Sequence, residues 1–449
     1  MTLDIRNFYN ATNPALTIKA ADVQDQKYYI DFSEVRGGDI ISTLKDQITF
    51  FQPDKPTCNL FTGHIGCGKS TELLRLQVEL EAEDFHVVYF ESSDDLQIED
   101  VDIVDVLLAI ARRISQGLDK IILPEPHQLK KLLQEVWNIL NSDVTGVKVK
   151  IAGQDFGFNH GGQNFSLSLG IGEITTKTKN NPKLREKLNQ FLAPQKTSLL
   201  QAINQELIEP AIAKLKQQGK KGLVVIVDNL DRIENRPKPN GTPQQQYLFV
   251  EQGEYLTKLN CHLVYTMPLA LKFSNDYGML IQRFSRKPQV LPMVPVRWPD
   301  GKVHEQGMIL LRQMVLARAF PDLPKEERLS KITKIFDSPA TLDLLCQVSG
   351  GHVRDLLRLL NSWIEKDRKK LLLQRKSLEK ILVEECNEMS MTISPQEWEL
   401  LREVKKTKKV SDDQGYQQLI RSRFAFEYRD GGKIWFDFNP ILAEAEELQ

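Results

Sequence analysis

Lys69 and Ser70 close the run Gly63-His64-Ile65-Gly66-Cys67-Gly68-Lys69-Ser70, in which a glycine and a Gly-Lys-Ser triplet are separated by four residues. Glycines let a backbone wrap around phosphates, and the N-terminus of a following helix adds N–H donors and a favourable dipole. Lys69 is placed to neutralise β and γ phosphates and Ser70 to ligate magnesium, with Thr71 continuing the helix start. A second candidate is the apolar run 223–227, which ends in Asp228 and would deliver a carboxylate to that magnesium. The plainer alternatives are a ligand-free glycine turn and an aspartate capping its own turn. Together the two runs point to ATP and Mg2+.

The elements needed to hold these residues are legible around them. Residues 58–62 read as a strand, 63–68 as the turn, 69–81 as a helix and 86–90 as a second strand, a β-loop-α-β start. Short apolar strands follow at 223–227, 262–266 and 290–296, each β-rich enough for a buried parallel strand. Helical periodicity covers 40–48, 103–114, 129–140 and 196–217. Between 147 and 178, Val147, Val149 and Ile151 alternate with lysines and Phe165, Leu167 and Leu169 with serines, around a glycine-rich turn, so a β-hairpin insertion is expected. After Pro299 the pattern is helical at 303–320, 326–336, 339–348 and 352–361. The last stretch reads as helices at 378–389, 395–405 and 413–421 and a hairpin around Asp430-Gly431-Gly432.

On the motif Gly63 to Ser70 and on Asp228-Asn229-Leu230-Asp231-Arg232, the chain resembles the AAA+ and STAND branch of P-loop ATPases, the Asp-x-Leu-Asp-Arg form being similar to KAP-type NTPases. The expected fold is α/β: a P-loop NTPase with a parallel sheet and flanking helices in residues 1–298, an α-helical lid in 299–377 and a winged-helix-like domain in 378–449. The resemblance implies further roles. Thr266, ending a strand, resembles sensor 1, and Arg354 in Ser349-Gly350-Gly351-His352-Val353-Arg354 resembles the sensor 2 arginine that reaches back to ATP. Arg283 and Arg286 stand where related oligomeric ATPases carry an arginine finger for a neighbouring subunit, worth about a thousandfold in rate, and Arg185 competes for that role. Glu91 after the second strand resembles residues that couple nucleotide state to a partner. Many relatives place a glutamate after the metal aspartate to polarise water, whereas this chain has Asn229. Asp231 or Glu234 would then supply the carboxylate, or Asn229 would orient water without accepting a proton; Asp231 is the expected base.

Composition limits the partners. The 449 residues carry 59 Lys and Arg against 60 Asp and Glu, a formal charge of −1, so no global field draws the chain to nucleic acid or anionic membrane. Residues 361–410 hold 12 basic against 9 acidic side chains and 411–449 hold 4 against 8, so the expected winged-helix-like domain is not basic as a whole. Lys405, Lys406, Lys408 and Lys409 form one local cluster. Five scattered cysteines, among them Cys67, fit a reducing cytoplasm, and neither a secretory leader nor an apolar run of membrane-spanning length is seen. The expected activity is a Mg-dependent ATP hydrolase acting as a nucleotide-controlled switch that self-associates through its ATPase core and recruits a protein partner. The alternative is a DNA-engaged ATPase of initiator or transposition-regulator type.

Overall fold

The computed structural model describes residues 3–119, 121–141, 166–179, 181–367, 372–411 and 414–448. Five strands, β1 (Cys58–Gly63), β2 (Phe85–Glu91), β3 (Gly222–Asp228), β4 (His262–Met267) and β5 (Gln289–Leu291), form a parallel sheet in the order β2-β3-β4-β1-β5. Every residue of β3 is buried, and its successive side chains enter different apolar clusters, Leu223, Val225 and Val227 on one face and Val224 and Ile226 on the other. A strand buried on both faces has no need of polar alternation, which is why these runs are continuously apolar. The helix Lys69–Ala82 covers one face with Leu73, Leu76 and Leu80, all fully buried, at a spacing that makes one stripe. Each such leucine contributes roughly 1.5–3 kcal/mol. The other face is covered by helices that include Ile103–Gly117 and His127–Asn141, with Leu107, Ile110, Leu133 and Leu140 in the same cluster.

Residues beyond the sheet build a helical layer, Glu305–Ala319, Pro339–Val348 and Val353–Lys366, followed by three further helices, Arg375–Ser390, Pro395–Thr407 and Gln414–Arg421. An antiparallel hairpin, β6 (Ala425–Asp430) and β7 (Lys433–Phe438), closes the order. These are the elements expected of the winged-helix-like segment. One apolar cluster crosses residue 377, joining Leu311, Leu342 and Trp363 to Leu401, Leu419 and Phe436, and takes in Phe8, Ile30 and Phe32 from the N-terminal segment. The hairpin also joins the cluster of the Lys69–Ala82 helix through Phe426, Tyr428 and Trp435.

Two expectations need correction. The second arm of the anticipated hairpin is a helix, Leu167–Thr178, with Ser166 as its N-cap accepting from the Leu169 N–H. Leu167, Ile171 and Ile174 are buried at helical spacing against the Ile103–Gly117 layer while Leu169 is 43% exposed, so the short alternation at 165–169 does not set the period. The first arm, 147–151, lies outside the described residues. The fifth strand ends at Leu291 rather than 296, because Pro292 and Pro295 lack the N–H that a ladder requires. Met293 instead donates its N–H to Glu427 O of β6 at 3.0 Å.

Candidate functional site

The glycine-rich loop leaves β1 at Gly63 and enters the Lys69–Ala82 helix through Gly66 and Gly68, at φ +93° and +105°. A Cβ at Gly66 would stand 2.5 Å from His352 Cε1 and 3.0 Å from Arg354 Cβ, so this glycine is required by conformation and by close approach alike. The Lys69 ammonium is folded onto the loop, donating to Gly63 O at 2.8 Å and His64 O at 2.9 Å and pairing with Asp231 Oδ2 at 3.0 Å. Burial pulls its pKa down, but the charges of Asp231 and Asp228 outweigh this and the net shift is upward. Lys69 therefore stays charged.

Ile65 to Glu72 line a cleft of about 850 Å³, part of it open to solvent. Its lining combines apolar and aromatic side chains suited to a base and sugar, Leu16, Ile18, Tyr28, Phe32, Met314 and Leu357, with the cations Lys69, Arg36, Arg232, Arg318 and Arg354 and the carboxylates Glu72 and Asp231. The Arg36 and Arg318 guanidiniums lie over the Phe32 and Tyr28 rings, 5.0 and 6.0 Å from their centroids. Arg36 and Arg318 are 3% and 4% exposed, and the Nε of each is buried without a partner. Arg36 donates to Cys67 O at 3.1 Å and Arg318 to Met314 O at 2.9 Å, so neither has its charge met by a carboxylate in these bonds. Burial lowers both pKa values, that of Arg318 to about 10. Arg354 is lowered by burial and by the neighbouring Arg232 and Arg423 cations. Unmatched cations facing one cleft suit a polyphosphate.

The turn after β3 is held by its own side chains. Asp228 accepts from Tyr89 OH at 2.8 Å and from the Asn229 N–H at 2.6 Å, and it does not line the cleft. Asn229, at φ +60°, donates through Nδ2 to Glu91 Oε2 at 2.6 Å. Thr266 is fully buried, accepting from the Leu230 N–H at 2.8 Å, so its hydroxyl braces this turn rather than facing the cleft. Asp231 lines the cleft with one oxygen on Lys69 and its Oδ1 unpartnered, whereas Glu234 pairs with Arg236 at 2.5 Å.

The loop residues Ile65, Gly66, Cys67, Gly68, Lys69, Ser70 and Thr71 are brought together around the cleft with Arg354 and Asp231. Gly63 and His64 do not line it; their carbonyls serve Lys69. Arg283 lies 3.8 Å from Glu254 and Arg286 donates to Gln52 at 3.3 Å, both outside the cleft of their own chain. Arg185 is not available as a finger: it is 6% exposed and bound to Asp100 and Asp105, tying the Pro182–Leu192 helix to Ile103–Gly117. The Cys67 thiol is fully buried and donates to Leu291 O, which removes it from solution chemistry. Of the lysine cluster, Lys405 donates to Leu448 O and Lys408 pairs with Asp437, contacts within the chain, while Lys406 and Lys409 are exposed.

Sequence reasoning missed Arg36, Arg318 and the clamp on the loop from the C-terminal half. His64 Nε2 accepts from the Glu427 N–H at 3.0 Å, His352 Nε2–H donates to Ile65 O at 2.8 Å and the Arg354 N–H to Gly66 O at 3.2 Å. Burial lowers the pKa of His352 to about 4 and holds His64 well below its ordinary value, so both rings are neutral. No local spacing encodes contacts across about 290 to 360 residues; the histidine inside the loop was the available signal.

The donor set fits Mg2+, a hard cation that keeps several waters and takes one or two protein ligands beside phosphate oxygens. Ser70 in the cleft would hold it, with Asp228 at the end of β3 as the supporting carboxylate; among the described residues no group of three or more His, Cys, Asp or Glu forms a metal cage. No described helix is long and apolar enough to cross a membrane.

No protein-family model and no curated protein matches the chain. Among solved structures it is similar to one described as the crystal structure of Cdc6p from Pyrobaculum aerophilum, at 10% identity and TM-score 0.39, covering 100% of this chain and 98% of that one. It is also similar to a Walker-type ATPase of Pyrococcus abyssi, at 10% identity and TM-score 0.35, covering 93% and 98%. At these values the likeness carries no argument about function, which rests on the cleft itself.

Proposed function

We propose that the chain is an ATP-binding, Mg-dependent ATPase acting as a switch, in which nucleotide at the loop controls the lid at 299–377 and the winged-helix-like segment at 378–449. The observation that carries this reading is the clamp: the loop that would wrap the phosphates is bonded to His352, Arg354 and Glu427 of those segments. Tyr428 OH donates to Gly350 O at 2.9 Å, so the hairpin also grips the turn carrying Arg354. Phosphates occupying the loop N–H groups would move this contact set, and the C-terminal surface with it.

Within the reading, Lys69, Arg354, Arg36 and Arg318 bind the phosphates and Asp231 accepts the proton of the attacking water. Ser70 and Asp228 hold the metal, which supplies charge neutralisation at the phosphates. Thr266 positions the turn. Arg283 and Arg286, free of their own cleft, fit a role on a neighbouring copy. A protein partner is favoured over DNA because Lys405 and Lys408 are spent on internal contacts. Five free thiols fit a cytoplasmic protein. The test is phosphate release per subunit over a range of protein concentrations, with and without duplex DNA, for wild type and Asp231→Asn. The reading predicts a rate that rises with concentration, ignores DNA and is lost in the variant while ATP still binds. Undiminished turnover in Asp231→Asn, or DNA stimulation that fades with salt, would overturn it.

A further inference from the structure

On the other side of the loop lies a second chamber, enclosing about 620 Å³ of space, part of it open to solvent. Ile65, Asp231 and Arg232 line both it and the nucleotide cleft, so the two spaces meet at the side chains nearest Lys69. Four residues lining the chamber carry a buried polar atom with no partner: His64 Nδ1, Asp231 Oδ1, Gln245 Oε1 and Arg421 Nε. His64, Asp231 and Gln245 are 2%, 5% and 6% exposed. Unmet polar atoms are rare in protein interiors, and four around one chamber call for an occupant.

The bonds these residues already make fix what each atom offers. His64 Nε2 accepts from Glu427, so the neutral ring carries its proton on Nδ1, a donor. Gln245 donates through Nε2 to Ile233 O at 2.8 Å, leaving Oε1 as an acceptor. Asp231 Oδ2 is taken by Lys69, leaving Oδ1 as a second acceptor. With the Asn235 amide oxygen turned toward it, Arg421 donates both terminal nitrogens at 3.0 and 2.9 Å, and Nε remains a donor. Arg421 has no carboxylate partner among the described residues, and Arg232 is a second cation of the lining. Two acceptors, two donors and two guanidinium charges complement a small oxyanion that still carries hydroxyl protons.

We propose that this chamber binds inorganic phosphate, as the dihydrogen phosphate ion formed from the transferred phosphoryl group and the attacking water, with its two P–OH groups donating to Asp231 Oδ1 and Gln245 Oε1. Its unprotonated oxygens accept from His64 Nδ1–H and Arg421. The inference rests on the ATPase reading for the source of the phosphate, but the site itself does not. Ile420 and Arg421, at the end of the Gln414–Arg421 helix, form one wall, so departure of phosphate is tied to the same C-terminal segment that clamps the loop. The Asp231 carboxylate is no bar to an anion, since Lys69 pairs with it and two arginines flank it.

The test is calorimetric titration of inorganic phosphate into full-length protein saturated with ADP and magnesium, so that the loop is filled, with sulfate in parallel. Saturable phosphate binding is expected, weaker for the unprotonated sulfate, and about tenfold weaker or more in Arg421→Gln and in Gln245→Leu. The second variant keeps the test open should the first fail to fold. Absence of phosphate binding to the ADP-loaded protein, or equal affinity in both variants, overturns the proposal and identifies the occupant as water only. Failure of the underlying reading looks different: phosphate would bind and respond to the variants in a protein that hydrolyses no ATP.

Discussion

Removal of the Lys69 charge should destabilise the nucleotide-free protein, and Asp231→Asn should relieve part of that loss. The Lys69 and Asp231 side chains are 7% and 3% exposed and lie 3.0 Å apart. Lys69→Met strands the carboxylate, whose second oxygen has no partner, and takes a donor from Gly63 O and His64 O. Breaking a buried pair by deleting one partner costs about 3–5 kcal/mol. In the Lys69→Met background, Asp231→Asn removes the stranded charge, so the double variant should fall short of the summed singles by about 1–3 kcal/mol. Urea denaturation without nucleotide, followed by tryptophan fluorescence, measures both. With a slope of about 3 kcal/mol per molar, the single substitution lowers the midpoint by about 1–1.7 M. Midpoints at which the two substitutions add to within about 0.5 kcal/mol would refute the reasoning.

Further outcomes follow from other contacts. Gly66→Ala should abolish nucleotide binding and lower stability, since its Cβ meets the His352 ring at 2.5 Å at a left-handed φ, whereas Gly219→Ala, with φ +85° and no atom within 4 Å, should cost only strain of about 1–3 kcal/mol; thermal melts and ATP titration compare them. His352 is buried neutral, with its folded pKa at about 4 against an unfolded value of 6.5, so the unfolded chain binds the proton first. That contribution is fully present above pH 6.5 and is lost as pH falls to about 4, on the order of 3 kcal/mol in all, and the wild-type stability profile should be steeper than that of His352→Gln by this amount. Arg36→Met and Arg318→Met should each weaken ATP binding about tenfold or more while leaving the urea midpoint unchanged or raised, because each removes a buried cation without a carboxylate partner in its observed bonds.

What the sequence disclosed was local. The loop, the strand ending in Asp228 and the terminal hairpin are each written in one short run, where glycine placement, continuous apolar residues or a Gly-Gly turn have few alternatives. The apolar run from Val290 to Val296 suggests a longer strand than Gln289–Leu291, but Pro292 and Pro295 forbid the ladder. At Leu167–Thr178 three alternating residues match a strand, and the i, i+4 recurrence of Leu167 and Ile171 that marks the helix shows only over a longer window. The cleft required long-range information: Arg36 sits before the loop, Arg318 on the helix Glu305–Ala319, and Glu427 in β6, and none belongs to a run that names its destination. Arg185 shows the converse, a cation that fits a motif by position but is consumed by Asp100 and Asp105.

The proposed switch requires that nucleotide set the grip of the C-terminal hairpin on the glycine-rich loop. Amide hydrogen exchange at residues 425–430 measures it most directly, comparing nucleotide-free protein with protein saturated with magnesium and a non-hydrolysable ATP analogue. The account predicts slow exchange at Glu427, whose N–H is bonded to His64, and faster exchange once the analogue is bound. Identical exchange at Glu427 in both states, with the analogue shown to occupy the loop, would contradict it.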